Sequence, residues 1–167
     1  MPQEHDKYGR LVDAFTPVDV ALAHVGIKEA TARNDGVPSD TYMAGRKEPW
    51  CMHFVIWCFA ALGLWWPGHV PPTKTRANPI ARVKTFYEQA KKAGWVVENP
   101  RRGDVIIFNS RGDSDAGDGW HTGIVTDVAG GIIHTVEGNL SNAVGTAQHS
   151  STSKRIIGYV RHKAMQI

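Results

Sequence analysis

Cys51, His121, Glu137 and Asn139 have the residue types and the chain order for nucleophilic thiol catalysis. Cys51 opens the apolar run Trp50-Cys51-Met52-His53-Phe54-Val55. His121 stands in Trp120-His121-Thr122-Gly123-Ile124-Val125, and the other two in Thr135-Val136-Glu137-Gly138-Asn139. A cysteine attacks as its thiolate but is mostly protonated at neutral pH, so it needs a positive neighbour. A helix N-terminus supplies roughly half a positive charge, and an imidazolium supplies more. The histidine in turn needs a third group to fix its tautomer and orientation. Glu137 is the candidate for that role. Asn139 lies two residues further, on the same face if the strand continues; there it would orient the ring or polarise a carbonyl.

The surrounding pattern indicates what holds these residues. Cys51, Phe54, Val55, Cys58, Phe59 and Leu62 recur at helical spacing. Trp50, Trp57 and Ala61 fill much of the remaining circumference, which predicts a helix buried nearly all round and capped by Gly63. Cys51 and Cys58 are then about 10.5 Å apart along the axis, too far for a disulfide. Thr16-Pro17-Val18-Asp19 is a helix start, with the helix predicted to run to about Thr31. Asn34–Pro38 is a turn, residues 38–48 a loop or short helix, and Trp65–Pro72 an aromatic loop. A further helix is predicted from Asn78-Pro79 to Gly94 on the stripe Val83, Phe86, Tyr87, Ala90. Beyond it the period changes, and Val105–Phe108, Gly123–Val128, Ile132–Glu137 and Ile156–Val160 read as strands. Ala129-Gly130-Gly131 is a hairpin turn that would set residues near 121–123 beside those near 137–139. Helices first and strands afterwards argue for an α+β fold with a mostly antiparallel sheet. Residues 1–15 read as a flexible arm and 16–167 as a single catalytic domain.

In this order, PWCMHFVIW, GDVIIF, HTGIV and VEGN resemble the CHAP family, the cysteine- and histidine-dependent amidohydrolases/peptidases. VALAHVGIKEATARNDG before the cysteine and IIGYVR near the end extend the resemblance over roughly residues 18–161. It implies a papain-like fold, with the nucleophile on a helix packed against the sheet. It also implies hydrolysis of amide bonds in peptidoglycan, with Cys51 as nucleophile, His121 as base then acid, and Glu137 and Asn139 at the family's polar positions. Met52-His53 departs from the small residues that often follow the family's cysteine, so His53 either sits near the site or packs a crowded helix face.

The other reactive side chains have plainer readings. Cys58, two turns into the apolar stripe, reads as core. His134 rivals His121 as the base but falls one residue off the alternation that carries Glu137, and so faces away. His5, His24, His69, His149 and His162 show no partners in the sequence and read as surface residues. Asp113, Asp115 and Asp118 alternate with glycines as a weak calcium candidate, yet such runs are ordinary turn chemistry; no CxxC or HxxxH spacing suggests zinc. The expected cofactor requirement is none. Trp50, Trp57 and Trp95 read as core, while Trp50, Trp65, Trp66 and Trp120 are the aromatic candidates for substrate contact near the nucleophile.

Composition narrows the function classes. Hydrophobic residues make up 42% and charged ones 21%, ordinary globular values. No apolar run approaches the ~20 residues of a membrane span, and the polar start MPQEHDKYGR has no signal-peptide h-region. The net charge of +3 modestly favours an anionic partner such as cell wall, but the basic residues are scattered and form no nucleic-acid stripe. The expected protein is a monomeric peptidoglycan hydrolase made in the cytoplasm. It would reach the wall through phage lysis or a secretion apparatus, and in the second case an immunity protein would be its partner. A wall-binding module without catalysis, and an acyltransferase or protein-directed protease on the same fold, stand as alternatives.

Overall fold

A computed structural model describes residues 4–5, 11–12 and 15–165 of the chain. Most of the arm expected over residues 1–15 lies outside them; within it, β1 (Glu4–His5) pairs antiparallel with β2 (Leu11–Val12). Helices α1 (Pro17–Ala23), α2 (Val37–Tyr42), α3 (Cys51–Ala60) and α4 (Val83–Ala93) precede a six-stranded sheet. Its strands are β3 (Val96–Val97), β4 (Val105–Asn109), β5 (Trp120–Ala129), β6 (Ile132–Leu140), β7 (Ala143–Ser150) and β8 (Ile156–Val160), in spatial order β3-β8-β4-β5-β6-β7. Every pairing is antiparallel. The architecture is α+β, and among the described residues no helix is long and apolar enough to cross a membrane.

Helix α1 begins as predicted. Thr16 and Asp19 form a reciprocal capping box, with the Thr16 N–H donating to Asp19 Oδ2 at 2.7 Å. It stops at Ala23, well short of Thr31. Gly26 turns the chain with φ of 96°, and its N–H donates to the Val144 carbonyl. Lys28 then bridges to Ala143, so a segment read as helix is captured by the strand β7. The segment 38–48 holds the short helix α2, and a 3-10 turn (Pro79–Ala81) precedes α4, which ends at Gly94 in the left-handed conformation. Strands β3 and β7 were not visible in the hydrophobic pattern. β7 reads Ala-Val-Gly-Thr-Ala-Gln-His-Ser, with too few apolar residues to show an alternation.

Helix α3 is the centre of the core. Cys51 to Ile56, Cys58 and Phe59 are all buried. It packs on the sheet face formed by Val105, Ile107, Ile124, Val136 and Val160. A smaller cluster of Ile106, Phe108, Val125, Ile133 and Tyr159 covers the opposite face. Gly138 lets strand and helix touch, because a Cβ there would sit 2.6 Å from the Phe54 Cβ. This close contact ties the end of β6 to the helix that begins at Cys51.

Candidate active site

Cys51 is the first residue of α3, and Trp50 at the N-cap offers no side-chain acceptor to the first turn. The first N–H groups of any helix have no partner within it, so here they stay free for an incoming anion beside the thiol. Cys51 is 7% exposed and lines a cleft of about 440 Å³, together with Glu48, His53, Asn78, Arg82 and Trp120 among others.

The hairpin through Gly130 and Gly131 sets Ile124 opposite Val136, which brings Gly123 and Glu137 to one level. A Cβ at Gly123 would stand 2.5 Å from the Glu137 Cγ, so the glutamate side chain crosses β5 over this glycine. It reaches His121, whose Nε2–H donates to Glu137 Oε1 at 2.6 Å. With Nε2 so engaged, Nδ1 is the nitrogen left for the Cys51 thiol, which interacts with the ring. Burial by itself would push the His121 pKa down. The interactions with Cys51 and Glu137 outweigh it and raise the value to about 9. Glu137 is 1% exposed, and burial would push its carboxyl up. Donors from His121, Thr135 and His149, with the His121 charge, instead hold it far below the usual carboxylate range, at about 2. The result is a thiol, an imidazole held protonated and a carboxylate held ionised, in series.

The sequence-predicted residues divide. Cys51, His121 and Glu137 meet. Asn139 sits at the irregularity between Glu137 and Leu140 with φ of 54°, and its side chain has no hydrogen-bond partner among the described residues. Alternation sets Asn139 on the Glu137 face only in a regular strand, and the bulge interrupts it. Trp120 lines the cleft, and its Nε1–H donates to the Ala116 carbonyl at 2.9 Å. Trp50 and Trp66, entertained as substrate contacts, are core residues instead. Trp50 is fully buried, stacked on Tyr42, with its Nε1–H on Glu29; Trp66 packs on Phe59 and Phe86. Trp65 is 53% exposed beside His69 and away from the cleft walls. Cys58 is wholly buried, and burial drives its thiol pKa up.

Four readings of histidines as partnerless surface residues are corrected. His24 is half-buried with Nδ1 2.7 Å from the Tyr42 hydroxyl, and His69 is half-buried with Nδ1 3.1 Å from the Asn78 amide nitrogen. His162 is buried against Phe59, Trp66 and Trp95. His149 bonds to Glu137, with Nε2 2.7 Å from Oε2. No sequence signal found it, because β7 itself was invisible. His53 is both near the site and packed: it is 3% exposed, lines the cleft and bonds Glu48 at 2.8 Å, and Glu48 is held in turn by Arg46. Asp113 accepts from the Asp115 N–H and Asp118 pairs with Arg111. Among the described residues, no three His, Cys, Asp or Glu side chains are grouped to hold a metal ion.

No curated protein sequence matches the chain. Solved structures similar to it include an amidase and an endolysin. One is an N-acetylmuramoyl-L-alanine amidase from Staphylococcus aureus, at 14% identity and a TM-score of 0.48, covering 70% of this chain and 31% of that one. The other is the wild-type endolysin LysIME-EF1, at 20% identity and a TM-score of 0.46, covering 88% and 64%. The chain thus spans less than two thirds of either. The CHAP domain model matches residues 42–139, a span of more than half the chain that contains Cys51, His121, Glu137 and Asn139, and the protein, an α+β fold built on an antiparallel sheet, belongs to the CHAP family.

Proposed function

We propose that the protein is a cysteine-dependent peptidoglycan hydrolase that cleaves an amide bond through an acyl-enzyme. The bond is the muramoyl–alanine amide or one in the stem or cross-bridge peptide. Membership of the CHAP family supports the hydrolase class and the wall substrate. The observation that carries the mechanism is the series Cys51–His121–Glu137, closed by the 2.6 Å contact between the last two.

The Cys51 thiolate attacks the amide carbonyl, and the free N–H groups at the start of α3 receive the oxyanion. The His121 imidazolium gives its proton to the leaving amine as the C–N bond breaks, leaving a thioester on Cys51. His121, now neutral, takes a proton from water, and hydroxide attacks the thioester. The tetrahedral species collapses, releases the carboxylic acid and restores the thiolate–imidazolium pair. Glu137 keeps its charge throughout and holds the ring. Trp120 forms an aromatic wall of the cleft for the glycan or stem peptide.

Mass spectrometry of purified peptidoglycan digested by the wild-type protein and by Cys51→Ala tests this reading. Fragments made by the wild type alone support it. A free lactyl-muramic end or a free amine within the peptide names the bond. No fragments from folded, reduced wild-type protein would overturn it in favour of a binding module or a non-wall substrate.

A further inference from the structure

Glu137 is bound on both oxygens by histidines. Oε1 faces His121 at 2.6 Å; Oε2 faces His149 at 2.7 Å and the Thr135 hydroxyl at 2.5 Å. The two imidazoles come from different strands, β5 and β7, and meet one carboxylate on the strand between them. The Phe108 ring on β4 contacts both, with centroids 6.0 Å from His121 and 4.5 Å from His149. The His149 side chain is 24% exposed and Glu137 1%, so one end of this chain of groups meets solvent while its middle is dry.

A carboxylate has about four lone-pair positions to share among its donors. The Thr135 hydroxyl and the His149 Nε2–H both donate to Oε2. Each donor there takes negative charge from the group and leaves less on Oε1 for the His121 proton. His149 exerts its pull from the edge strand β7. The titratable groups on its path are Glu137 from β6 and, beyond it, His121 from β5 and Cys51 from α3; Phe108 from β4 and Thr135 carry no charge.

We propose that His149 is a positioning residue of the active site, which through Oε2 of Glu137 fixes the carboxylate and limits how firmly it holds the His121 proton. A general acid that is held too tightly gives up its proton slowly, and one held too loosely is not charged. His149 therefore sets the balance between forming the thiolate–imidazolium pair and using it. The inference rests on the catalytic reading of Cys51 and His121, so its test reads the pair directly, without peptidoglycan.

The probe is iodoacetate, an anion that alkylates the Cys51 thiolate fastest while the imidazolium is present, so its rate against pH is bell-shaped. In His149→Phe the alkaline limb moves up by about half a pH unit, because one donor has left the carboxylate. In His149→Gln, whose amide N–H restores a donor at the same reach, the limb returns to the wild-type position. Once a peptidoglycan assay is in hand, kcat falls roughly three- to tenfold in His149→Phe and stays within about twofold in His149→Gln, with KM unmoved in both. An unmoved or lowered alkaline limb in His149→Phe, or equal behaviour of the two variants, overturns the proposal. If His149→Phe does not fold, imidazole NMR decides. In the wild type the Nε2–H protons of both histidines lie downfield, and Glu137→Gln shifts both; a His149 proton indifferent to that change overturns the proposal. A wild-type protein with the bell-shaped alkylation profile but no peptidoglycan activity would sink the substrate reading and leave this inference standing.

Discussion

Nε2 of His121 and Oε1 of Glu137 lie 2.6 Å apart, with the carboxylate 1% exposed and the imidazole open to the thiol of Cys51. A buried carboxylate at that distance stabilises the imidazolium, and it requires a protonated partner to be tolerated there. Each of the two residues therefore accounts for the protonation state of the other.

Glu137→Gln removes the charge and keeps the shape. We expect kcat/KM to fall by about 100-fold, and the alkaline limb of the pH profile to move down from near 9 toward the ordinary histidine value of 6.5. Stability carries the same signature. The folded His121 pKa lies above the unfolded one, so its contribution is complete below 6.5 and is lost as pH rises through about 9. Denaturant titrations between pH 6.5 and 9.5 should show this decline in the wild type and a flatter curve in Glu137→Gln. Equal slopes would mean that Glu137 does not hold the proton on His121.

Gly123→Ala tests the path by which the glutamate reaches the histidine. The new methyl group would meet Glu137 Cγ at 2.5 Å and the Val136 carbonyl at 3.0 Å. The backbone cannot give easily, so the carboxylate must move. We expect at least about a tenfold loss of kcat for about 1–3 kcal/mol of stability, and an alkaline limb displaced downward as in Glu137→Gln. Wild-type activity in a folded Gly123→Ala variant would show that the contact between Glu137 and His121 tolerates displacement.

The parts of the site that were legible in the sequence are those fixed by strong local patterns. The stripe from Cys51 to Leu62 is dense enough to name the helix, and its first residue. The Gly130-Gly131 turn between two β-branched runs gives the hairpin and, through register, the meeting of His121 and Glu137. The parts that were not legible depend on tertiary pairing. Residues 24–31 carry a helical pattern, yet Gly26 and Lys28 pair with the start of β7. β7 lies at the sheet edge with a mostly polar sequence, so neither it nor the partnership of His149 with Glu137 has a one-dimensional signature. Asn139 was placed by strand alternation, which a single bulge is enough to break.

The two cysteines should behave as opposites. Cys51 lines the cleft, whereas Cys58 is wholly buried with its thiol pushed to high pKa. Thiol titration of the native protein should find one fast group, absent from Cys51→Ser, and a second group only after denaturation. Cys51→Ser should abolish activity with the fold intact. Cys58→Ser should stay active but lose about 1–3 kcal/mol, since its hydroxyl is buried among apolar side chains. If Cys58→Ser were the inactive variant, the nucleophile would have been misassigned.

The tryptophans separate by the same logic of place. Trp120 walls the cleft and is pinned by its Nε1–H to Ala116, so Trp120→Ala should raise KM several-fold, with a smaller change in kcat. Trp120→Phe keeps an aromatic face, loses the pin, and should fall between. Trp65 is half exposed and off the cleft walls, and Trp65→Ala should leave both constants within about twofold. Trp50→Ala and Trp66→Ala should instead lower stability by about 3–5 kcal/mol, as deletions of buried aromatic rings do. Steady-state kinetics and thermal melts on the same preparations distinguish these outcomes. A larger KM effect at Trp65 than at Trp120 would move the substrate path out of the Cys51 cleft and toward the loop that carries His69, because the wall that binds must be the wall whose loss weakens binding.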